Sequence, residues 1–451
     1  MLYNSRIPYF PDASTYYSAI RDLPWAAWLD SAGLARYDIL TAAPAETLTT
    51  RDSQTHIRTQ RAESISEAPP MSLVRAQLGS HSAERPDIPF CGGALGYWGY
   101  SLANAWPTPE TDLPAMAIGI YDWAIVVDHQ KHEARLLSEL RFPETSSLLP
   151  QVLQRLEHTE PCRPGQFLVT TRVSSNFTRD SYLEAFKTIQ NYLSAGDCYQ
   201  VNLAQCFTAD AQGDAFAAYL KLREISPAPY SAFLDYPWGQ VLSSSPECFL
   251  KVKNRKVETR PIKGTRPRGA TPEMDSRLIT DLRTNAKDQA ENLMITDLLR
   301  NDLGRCCQPG SIKVEQLFAV ESYSNVHHLV STIRGELTEE HDALSLLQAC
   351  FPGGSITGAP KKRAMEIIEQ LEPTPRDVYC GAIGYVGWGG QMDTNIAIRT
   401  LMYSDNKIRF SVGGGIVADS DAAKEYQETL DKATGMLETL AQFQTSDNRG
   451  T

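Results

Sequence analysis

The amino-terminal third of the chain alternates short apolar stretches with polar turns. A representative apolar run, AIGIYDWAIVVD, extends from Ala117 to Asp128, and CGGALGYWGY from Cys91 to Tyr100 is rich in glycine. Short apolar runs bounded by turn-forming residues are typical of β-strands. The pattern predicts a mostly β unit over residues 1–150, with a glycine-rich turn at Cys91 to Tyr100.

A polar, proline-containing passage from His158 to Gln166 predicts a linker to a second region, residues 165–445. This region opens with Thr178 as the N-cap of a helix whose apolar residues recur every three and four positions, and Gly196 can end that helix. Strands and helices then alternate irregularly, and the hairpin pattern from Val241 to Ile262 favours antiparallel sheet. The predicted fold class is therefore α+β.

Composition and charge narrow the possible partners. The 451 residues are 42% hydrophobic and 22% charged, and a net charge of −11 repels polyanions such as nucleic acids. The nine cysteines lack metal-binding spacing, which indicates reduced thiols. No basic segment followed by an apolar run opens the chain, and no stretch approaches the ~18 apolar residues of a membrane span. We expect a cytoplasmic protein without nucleic-acid or membrane partners.

One lysine has an unusual sequence setting. Lys263 lies in the segment ETRPIKGTRPRG, pinned by proline and glycine, with Arg260, Arg266 and Arg268 close by in sequence. Neighbouring positive charge and desolvation both favour the neutral amine, which is the form of lysine that can attack carbon. The segment indicates either a nucleophilic lysine or an ordinary basic surface turn.

Glu247 is the predicted proton-transfer partner of this lysine. If Asn254, Arg255 and Lys256 form a three-residue hairpin loop, counting back along both strands places Glu247 directly opposite Lys263. Opposed residues in an antiparallel pair have Cβ atoms about 5 Å apart, so the carboxyl group could exchange protons where the amine reacts. A plain cross-strand ion pair is the alternative interpretation.

Two acidic helices provide candidate metal ligands. The periodic segment from Asp288 to Arg305 carries Glu291 at the edge of its apolar stripe, and a later helix carries Glu425 and Glu428 three residues apart on one face. Three converging carboxylates would suit Mg²⁺, which prefers oxygen ligands and keeps several waters. Solvated helix faces are the alternative interpretation.

Two glycine-rich segments could hold an anion. SVGGGIV from Ser411 to Val417 precedes the second acidic helix, and FPGGSITGAPKKRAMEIIEQLEP from Phe351 to Pro373 runs from a turn into another helix. Glycines let backbone N–H groups approach an anion, and a helix amino terminus adds a favourable dipole. Both segments could equally be plain turns. Arg399 could bind a carboxylate in bidentate fashion, whereas His328, on a strand-like run, could equally be a core residue.

Six strings, in this order, strongly resemble the chorismate-utilising enzymes. They are PIKGTRPRG, AENLMITDLLRNDLGR, FPGGSITGAPKKRAMEIIEQLEP, CGAIGYVGW, MDTNIAIRTL and GGGIVADSDAAKEYQETLDKA. The resemblance covers almost the whole chain, and it implies a large two-layer antiparallel β-sandwich flanked by helices, with chorismate and Mg²⁺ as ligands.

The resemblance also implies roles for individual residues. It implies that Glu291 and Glu428 bind Mg²⁺, that Glu425 either binds it through water or supports the ligands without binding it, and that His328 lies near the departing groups. The implied chorismate contacts are Gly264, Thr265, Tyr379, Arg399, Gly413, Gly414 and Gly415.

Within the family, the lysine of PIKGT and the string GDCYQVNLAQ from Gly196 to Gln205 are similar to the branch that aminates chorismate at carbon 4. In the implied reaction, neutral Lys263 attacks ring carbon 2 and the carbon 4 hydroxyl leaves with a proton from Glu247. Ammonia then attacks carbon 4 and expels the lysine, which gives 4-amino-4-deoxychorismate for p-aminobenzoate and folate synthesis. No cysteine lies in a GxCxG motif, so we expect a separate glutaminase subunit to supply the ammonia.

Other functions remain open as alternatives. Anthranilate synthase component I aminates carbon 2 and normally carries a small residue in place of Lys263, whereas isochorismate and salicylate synthases add water and carry their activating lysine elsewhere. A non-enzymatic scaffold or sensor that binds tryptophan is a further alternative. The segments LDSAGLARYD and APYSAF resemble the tryptophan pocket of anthranilate synthase. The implied effector residues are Ser31, Leu34, Ala35, Arg36, Tyr37, Pro229, Tyr230 and Ser231.

Overall fold

A computed structural model describes residues 2–80, 82–83, 85, 87–103, 113–323 and 326–444. Within these residues the strands form a 13-stranded and a 12-stranded sheet, called here the first and the second sheet. The strands are β1 (Tyr3–Ile7), β2 (Ala27–Asp30), β3 (Tyr37–Thr41), β4 (Glu46–Arg51), β5 (Gln54–Thr59), β6 (Glu63–Ser66), β7 (Gly93–Trp98), β8 (Met116–Tyr121), β9 (Trp123–Asp128), β10 (Glu133–Ser138), β11 (Phe167–Val169), β12 (Ser174–Ser175), β13 (Gln200–Gly213), β14 (Tyr230–Tyr236), β15 (Gly239–Ser245), β16 (Cys248–Lys253), β17 (Lys256–Arg260), β18 (Ile262–Pro267), β19 (Lys313–Ser322), β20 (Val326–Glu336), β21 (Gly358–Ala359), β22 (Ala382–Gly387), β23 (Met392–Asn395), β24 (Thr400–Ser404) and β25 (Lys407–Ile416).

Helices cover the outer faces of the two sheets. They are α1 (Ser14–Ile20), α2 (Pro70–Leu78), α3 (Pro143–Glu157), α4 (Arg179–Ala195), α5 (Ala215–Ile225), α6 (Pro272–Thr284), α7 (Ala286–Leu303), α8 (Ala343–Cys350), α9 (Lys361–Leu371) and α10 (Ala422–Ala441), with short 3₁₀ turns at Tyr100–Ala103 and Gly354–Ile356. As predicted, the Thr178 hydroxyl caps α4 and Gly196 ends it in a left-handed conformation at φ 80°. Among the described residues, no helix combines the length and apolar character needed to cross a membrane.

The order of strands shows that the two sequence regions share both sheets. The first sheet runs β1-β10-β9-β3-β2-β14-β15-β24-β25-β13-β11, and the second runs β18-β20-β17-β16-β23-β22-β7-β8-β4-β5-β6. Strand β2 pairs with β14, and β22 pairs with β7. Residues 1–150 and 165–445 therefore do not form separate layers, although they remain distinct stretches of sequence.

The core between the sheets explains the two-layer arrangement. Leu95 and Ile383 of the second sheet pack with Val126 and Leu234 of the first in one buried cluster. Because side chains alternate across a strand, the opposite faces also need cover, and helices provide it. The outer face of the first sheet packs against α1, α3, α5 and α10, and that of the second against α2, α7 and α8. The predicted α+β sandwich flanked by helices is confirmed.

Two glycine-rich segments are strands rather than the turns that their composition suggested. Residues 93–98 form β7 inside the second sheet, and Gly413 to Gly415 lie within β25. A Cβ atom at Gly96 would lie 2.0 Å from the Ala117 carbonyl oxygen of the neighbouring strand. Here the glycines permit close approach of packed neighbours, a role that composition alone does not distinguish from turn formation.

The predicted three-residue hairpin loop is wrong. Lys253 pairs with Lys256, so the turn contains only Asn254 and Arg255, whose φ angles of 49° and 61° fit the two-residue turn that matches strand twist. A bulge in β16 shifts the register further. Lys263 lies on β18, which pairs with β20, and so is not opposite Glu247 in a ladder.

Candidate active site

Three predicted acidic residues from separate segments surround the Lys263 amine. The charges of Glu291 on α7, Glu247 before β16 and Glu428 on α10 all act on Lys263. No two of these segments are consecutive in the sequence, so the fold alone brings them together. Lys263 is partly buried, and its Nζ donates a hydrogen bond to the Ser355 carbonyl oxygen at 3.2 Å.

The pKa of Lys263 lies below the usual lysine value. Burial, which removes water from the ammonium, is the main cause, and repulsion from Lys432 adds to it, while the nearby glutamates act in the opposite direction. A lowered pKa increases the fraction of neutral amine near pH 7. The direction of this shift favours the neutral amine, which is the form of lysine that can attack carbon.

The three arginines proposed to crowd Lys263 are neutralised by other partners. Arg260 forms an ion pair with Glu321, Arg266 with Asp281 and Asp288, and Arg268 with Asp275. The prediction that these arginines repel the Lys263 ammonium was therefore wrong. The cation that contributes is Lys432, which lies on a helix about 170 residues further along the chain.

Glu247 lies near Lys263 by a route that differs from the predicted cross-strand pairing. Its side chain is buried, and the Ser355 hydroxyl and the Ile262 backbone N–H hydrogen-bond to its carboxylate. Burial raises the pKa of Glu247, and the Lys263 charge partly opposes that rise. Ser355 therefore contacts both side chains, and the raised pKa shifts Glu247 towards the protonated form that a general acid needs.

The three predicted metal ligands face one another across α7 and α10. Lys287 lies between two of them, with its Nζ 3.3 Å from Glu425 Oε1 and 3.9 Å from Glu291 Oε1. Burial raises the pKa of Glu291, and the neighbouring carboxylates add to that rise while the lysines oppose it. Lys432 lies 2.7 Å from Glu428 and lowers the pKa of that residue against the effect of burial.

The carboxylates of Glu291, Glu425 and Glu428 are suitable oxygen ligands for a divalent cation. They do not lie close enough together to form a complete metal site. A Cβ atom at Gly414 would lie 3.2 Å from Glu425 Oε2 and 3.5 Å from Glu428 Oε1, so both carboxylates border this glycine. Within the part of the chain that the structure describes, no three acidic, histidine or cysteine side chains form a ready metal site. Lysine ammonium groups supply the positive charge beside these oxygen donors.

Arg399 and His328 lie near each other in a second part of the candidate site. Arg399 has a left-handed backbone at φ 50°, and among the described residues no carboxylate is paired with its guanidinium. Burial, together with the charge of Arg399, lowers the pKa of His328 to about 3, so this histidine is neutral at physiological pH. Its Nδ1 lies 2.9 Å from Thr265 Oγ1, which fixes the ring beside β18.

The remaining predicted substrate contacts are Tyr379 and the glycines at positions 264 and 413–415. Pairing of β25 with β24 ends at Phe410, so in the described chain no strand covers the β24 side of Gly413 to Gly415. The Gly413 carbonyl accepts a hydrogen bond from Lys432 at 2.9 Å. Gly264 adopts φ 86° between Lys263 and Thr265. Tyr379, in contrast, is buried beside Arg376 rather than bonded to the residues named above.

Comparison with known proteins decides the family. The sequence profile described as chorismate binding enzyme matches residues 26–438 of this chain. The chain belongs to the chorismate binding enzyme family. It is 46% identical over 449 residues to aminodeoxychorismate synthase component 1 of Klebsiella aerogenes, across 96% of this chain and 98% of that protein. The same component of Escherichia coli strain K12 is 46% identical over 442 residues, across 95% of this chain and 96% of that protein.

A solved structure supports the same assignment. Anthranilate synthase component I from Streptococcus pneumoniae TIGR4 superimposes with a TM-score of 0.78 and 32% identity, over 89% of this chain and 92% of that chain. The two-sheet fold of this chorismate binding enzyme is therefore shared with a relative of different named activity, and the site residues must distinguish them.

This chorismate binding enzyme also has a cavity of about 440 Å³ that coincides with the predicted effector site. Leu34, Ala35, Arg36, Tyr37, Pro229, Tyr230 and Ser231 all line it. Ser31 does not line it; its N–H instead donates to Asp38 Oδ1 at 2.7 Å, which fixes the start of the lining loop. The predicted residues therefore share one cavity, with a single exception.

Sequence reasoning missed three residues that shape the site of this chorismate binding enzyme. Ser355 contacts Lys263 and Glu247, Lys287 lies between Glu425 and Glu291, and Lys432 contacts Glu428. Lys432 could have been found from its spacing of four residues from Glu428, and Lys287 from the same spacing to Glu291. No local signal marks Ser355, because its neighbours come from distant segments.

Proposed function

We propose that this chain converts chorismate and ammonia to 4-amino-4-deoxychorismate, as the large component of an aminodeoxychorismate synthase. The observation that carries the proposal is the partly buried Lys263 amine, with its lowered pKa, in the electrostatic field of the protonatable Glu247. The relatives of 46% identity bear the name of this activity. A small residue at position 263 would have favoured anthranilate synthase instead.

The first half of the proposed reaction forms a covalent adduct. Lys263 Nζ attacks ring carbon 2, the ring double bonds shift, and the C4–O bond breaks as Glu247 gives its proton to the leaving hydroxyl, which departs as water. His328 is neutral, so it orients the departing group by hydrogen bonding rather than by charge. Holding amine, acid and substrate together makes this step effectively unimolecular.

The second half releases the enzyme. Ammonia attacks carbon 4, the double bonds shift back, and the C2–N bond to Lys263 breaks. The proton lost by the added ammonia returns to the Glu247 carboxylate, so the residues regain their starting states. Because the lysine occupies carbon 2 during this step, amination occurs at carbon 4 and the enolpyruvyl group stays in place.

Binding groups are proposed on both sides of the ring. Arg399, Thr265, Gly264, Tyr379 and the backbone of residues 413–415 would contact chorismate. Glu291 and Glu428 would hold Mg²⁺, and Glu425 would bind it through water or support the two ligands. When bound, Mg²⁺ would neutralise a substrate carboxylate, which favours binding of a dianion to an acidic protein.

Product analysis with chorismate, Mg²⁺ and ammonium tests the proposal. Wild type is expected to give 4-amino-4-deoxychorismate, and Lys263→Ala is expected to lose at least about a hundredfold in turnover, the loss typical of removing one catalytic group. Lys256→Ala, an exposed lysine on β17, is the matched control. Anthranilate and pyruvate as the only products, or Lys263→Ala turnover within a few-fold of wild type, would contradict the proposal.

We propose a glutaminase subunit as the partner that supplies ammonia. The name of the relatives, component 1, supports a partner component, and this chain lacks a GxCxG nucleophile motif. In the same assay, glutamine in place of ammonium should give no product until a glutaminase subunit is added. Turnover of glutamine by the purified chain alone would rule out the need for a partner.

We further propose that the 440 Å³ cavity binds tryptophan, since its volume suits a small aromatic ligand. Calorimetry of ligand-stripped wild type with tryptophan should show saturable heat. Ala35→Trp, which fills the cavity from an exposed position, should abolish it. Absence of heat with wild type, or equal heat with Ala35→Trp, would argue against this ligand.

A further inference from the structure

Four hydrogen bonds converge on the carboxylate of Asp275, near the amino terminus of α6. Arg268 donates from Nε and Nη2 at 2.9 Å each, the Gly269 backbone N–H donates at 2.7 Å, and His327 Nε2 lies 2.9 Å away. These hydrogen bonds hold the pKa of Asp275 well below its usual range. Asp275 is therefore an ionised acceptor that joins α6 to the end of β18 and to β20.

The hydrogen bonds around His327 run in one direction. Because the Asp275 carboxylate can only accept, His327 Nε2 carries a hydrogen, and in the neutral ring Nδ1 then accepts from the Ser322 hydroxyl at 2.7 Å. The His327 side chain has 0% exposure. A buried imidazole with both nitrogens bonded is fixed in position and orientation.

This network lies directly behind the candidate active site. His327 precedes His328 on β20, and neighbouring residues of a strand point to opposite faces. The register pairs Thr265 with His328 and Arg266 with His327. His327 therefore anchors β20 from one face, while on the other face His328 contacts Thr265, two residues beyond Lys263.

We propose that Asp275 is a positioning residue for the amination reaction. By holding His327 and the Arg268–Gly269 segment that directly follows β18, it fixes β18 against β20 and so sets where the Lys263 amine and the His328 ring meet the substrate. The inference rests on the proposed function for its catalytic readout. An ordinary exposed ion pair contributes little to stability and would not fix this geometry.

The same helix offers a matched control. Asp281 also lies on α6 and also pairs with an arginine of β18, since its Oδ2 is 2.6 Å from Arg266 Nε. Its side chain is 57% exposed, against 16% for Asp275, and no histidine of the described residues contacts it. Asp281→Asn therefore removes the same charge from the same helix without disturbing His327.

The decisive comparison is ammonium-dependent turnover of wild type, Asp275→Asn and Asp281→Asn. Three of the four donors share Oδ1 and one contacts Oδ2, so asparagine in either orientation turns its NH2 group towards at least one donor and removes the charge that the others bind. We expect kcat of Asp275→Asn to fall about tenfold with KM for chorismate within about twofold, as for a loss felt in the transition state. Both parameters of Asp281→Asn should stay within about twofold of wild type. Ser322→Ala, which changes no charge, should lower kcat by a smaller factor.

Hydrogen exchange gives a readout that does not depend on turnover. Backbone amides in peptides covering residues 262–267 and 326–330 should exchange faster in Asp275→Asn and unchanged in Asp281→Asn. If wild type makes no aminated product, the proposed function fails. Hydrogen exchange still tests whether Asp275 holds β18 against β20. The inference is overturned if kcat and exchange of Asp275→Asn match wild type, if Asp281→Asn loses as much, or if KM rises in step with the fall in kcat. Should Asp275→Asn not fold, Ser322→Ala decides by the same criteria.

Discussion

At the scale of single residues, Lys263 owes its chemistry to surroundings that its sequence neighbours do not reveal. The adjacent arginines are paired with carboxylates, and loss of hydration together with Lys432 lowers the pKa of Lys263. Glu247 changes in the complementary direction, since burial raises its pKa. Opposite shifts of a base and an acid at one site are a physical marker of acid–base chemistry.

These shifts predict the pH dependence of turnover. The proposed first step needs neutral Lys263 and protonated Glu247, so kcat should fall at low pH as Lys263 gains a proton and at high pH as Glu247 loses one. The lowered pKa of Lys263 and the raised pKa of Glu247 bring the two values closer together, which enlarges the fraction of enzyme that carries a neutral amine together with a protonated carboxyl group.

Glu247→Gln is expected to remove the alkaline limb and lower kcat at least about a hundredfold, the usual effect of losing a general acid. The measurement is kcat with ammonium across the pH range. Glu258→Gln, in a partly exposed ion pair with Arg334, is the control. An alkaline limb that persists in Glu247→Gln would assign that proton to another group.

At the scale of elements, a single buried guanidinium joins three segments that support the site. Arg376, beyond α9, donates to Glu372, to the Ile356 carbonyl at 2.9 Å and to the Asn202 carbonyl of β13 at 3.0 Å. Ile356 follows Ser355, whose carbonyl oxygen accepts from Lys263. The turn that contacts the nucleophile is thus tied to the first sheet by one side chain.

Arg376→Ala is expected to lower the free energy of unfolding by about 3–5 kcal/mol, because it leaves the buried Glu372 charge uncompensated. Arg363→Ala on α9 removes a partly exposed pair with Glu366 and should cost about 1 kcal/mol or less. Denaturant unfolding followed by circular dichroism measures both. Equal losses in the two variants would show that Arg376 has no special structural role.

At the scale of the whole molecule, each of the two sheets combines strands from both sides of the predicted linker. Strand β14 lies between β2 and β15, and β22 lies between β7 and β23. Without the amino-terminal region, β14 and β22 would each lose a paired neighbour, and the core between the sheets would lose Leu95 and Val126. The sequence regions are therefore interdependent in folding.

A fragment of residues 165–444 is expected to show no cooperative thermal transition and to bind a hydrophobic dye, since it exposes strand edges and core surface. Co-expression with residues 2–150 should restore both the transition and turnover. A fragment that unfolds cooperatively and aminates chorismate alone would show that region to be an independent domain.

Local sequence signals were sufficient for those parts of the fold that depend on neighbours in the chain. The N-cap at Thr178, the stop at Gly196 and the antiparallel class follow from contacts within a few residues. The two-residue turn at Asn254 and Arg255, the bulge in β16 and the strand character of Gly413 to Gly415 were not predicted. The strand character of Gly413 to Gly415 depends on pairing with β13, about 200 residues earlier in the chain, and the irregularity of β16 also involves β23, which is distant in sequence.

The same division holds for the site. By itself, the sequence determined which side chains are available: a lysine between proline and glycine, acidic residues spaced for one helix face, and strings that resemble one family. Only the tertiary structure decided that Ser355 contacts both Lys263 and Glu247, and that Lys432 rather than an arginine repels the amine. The reason is physical, because hydration and charge at a buried atom depend on everything within a few ångströms, whatever its distance along the chain.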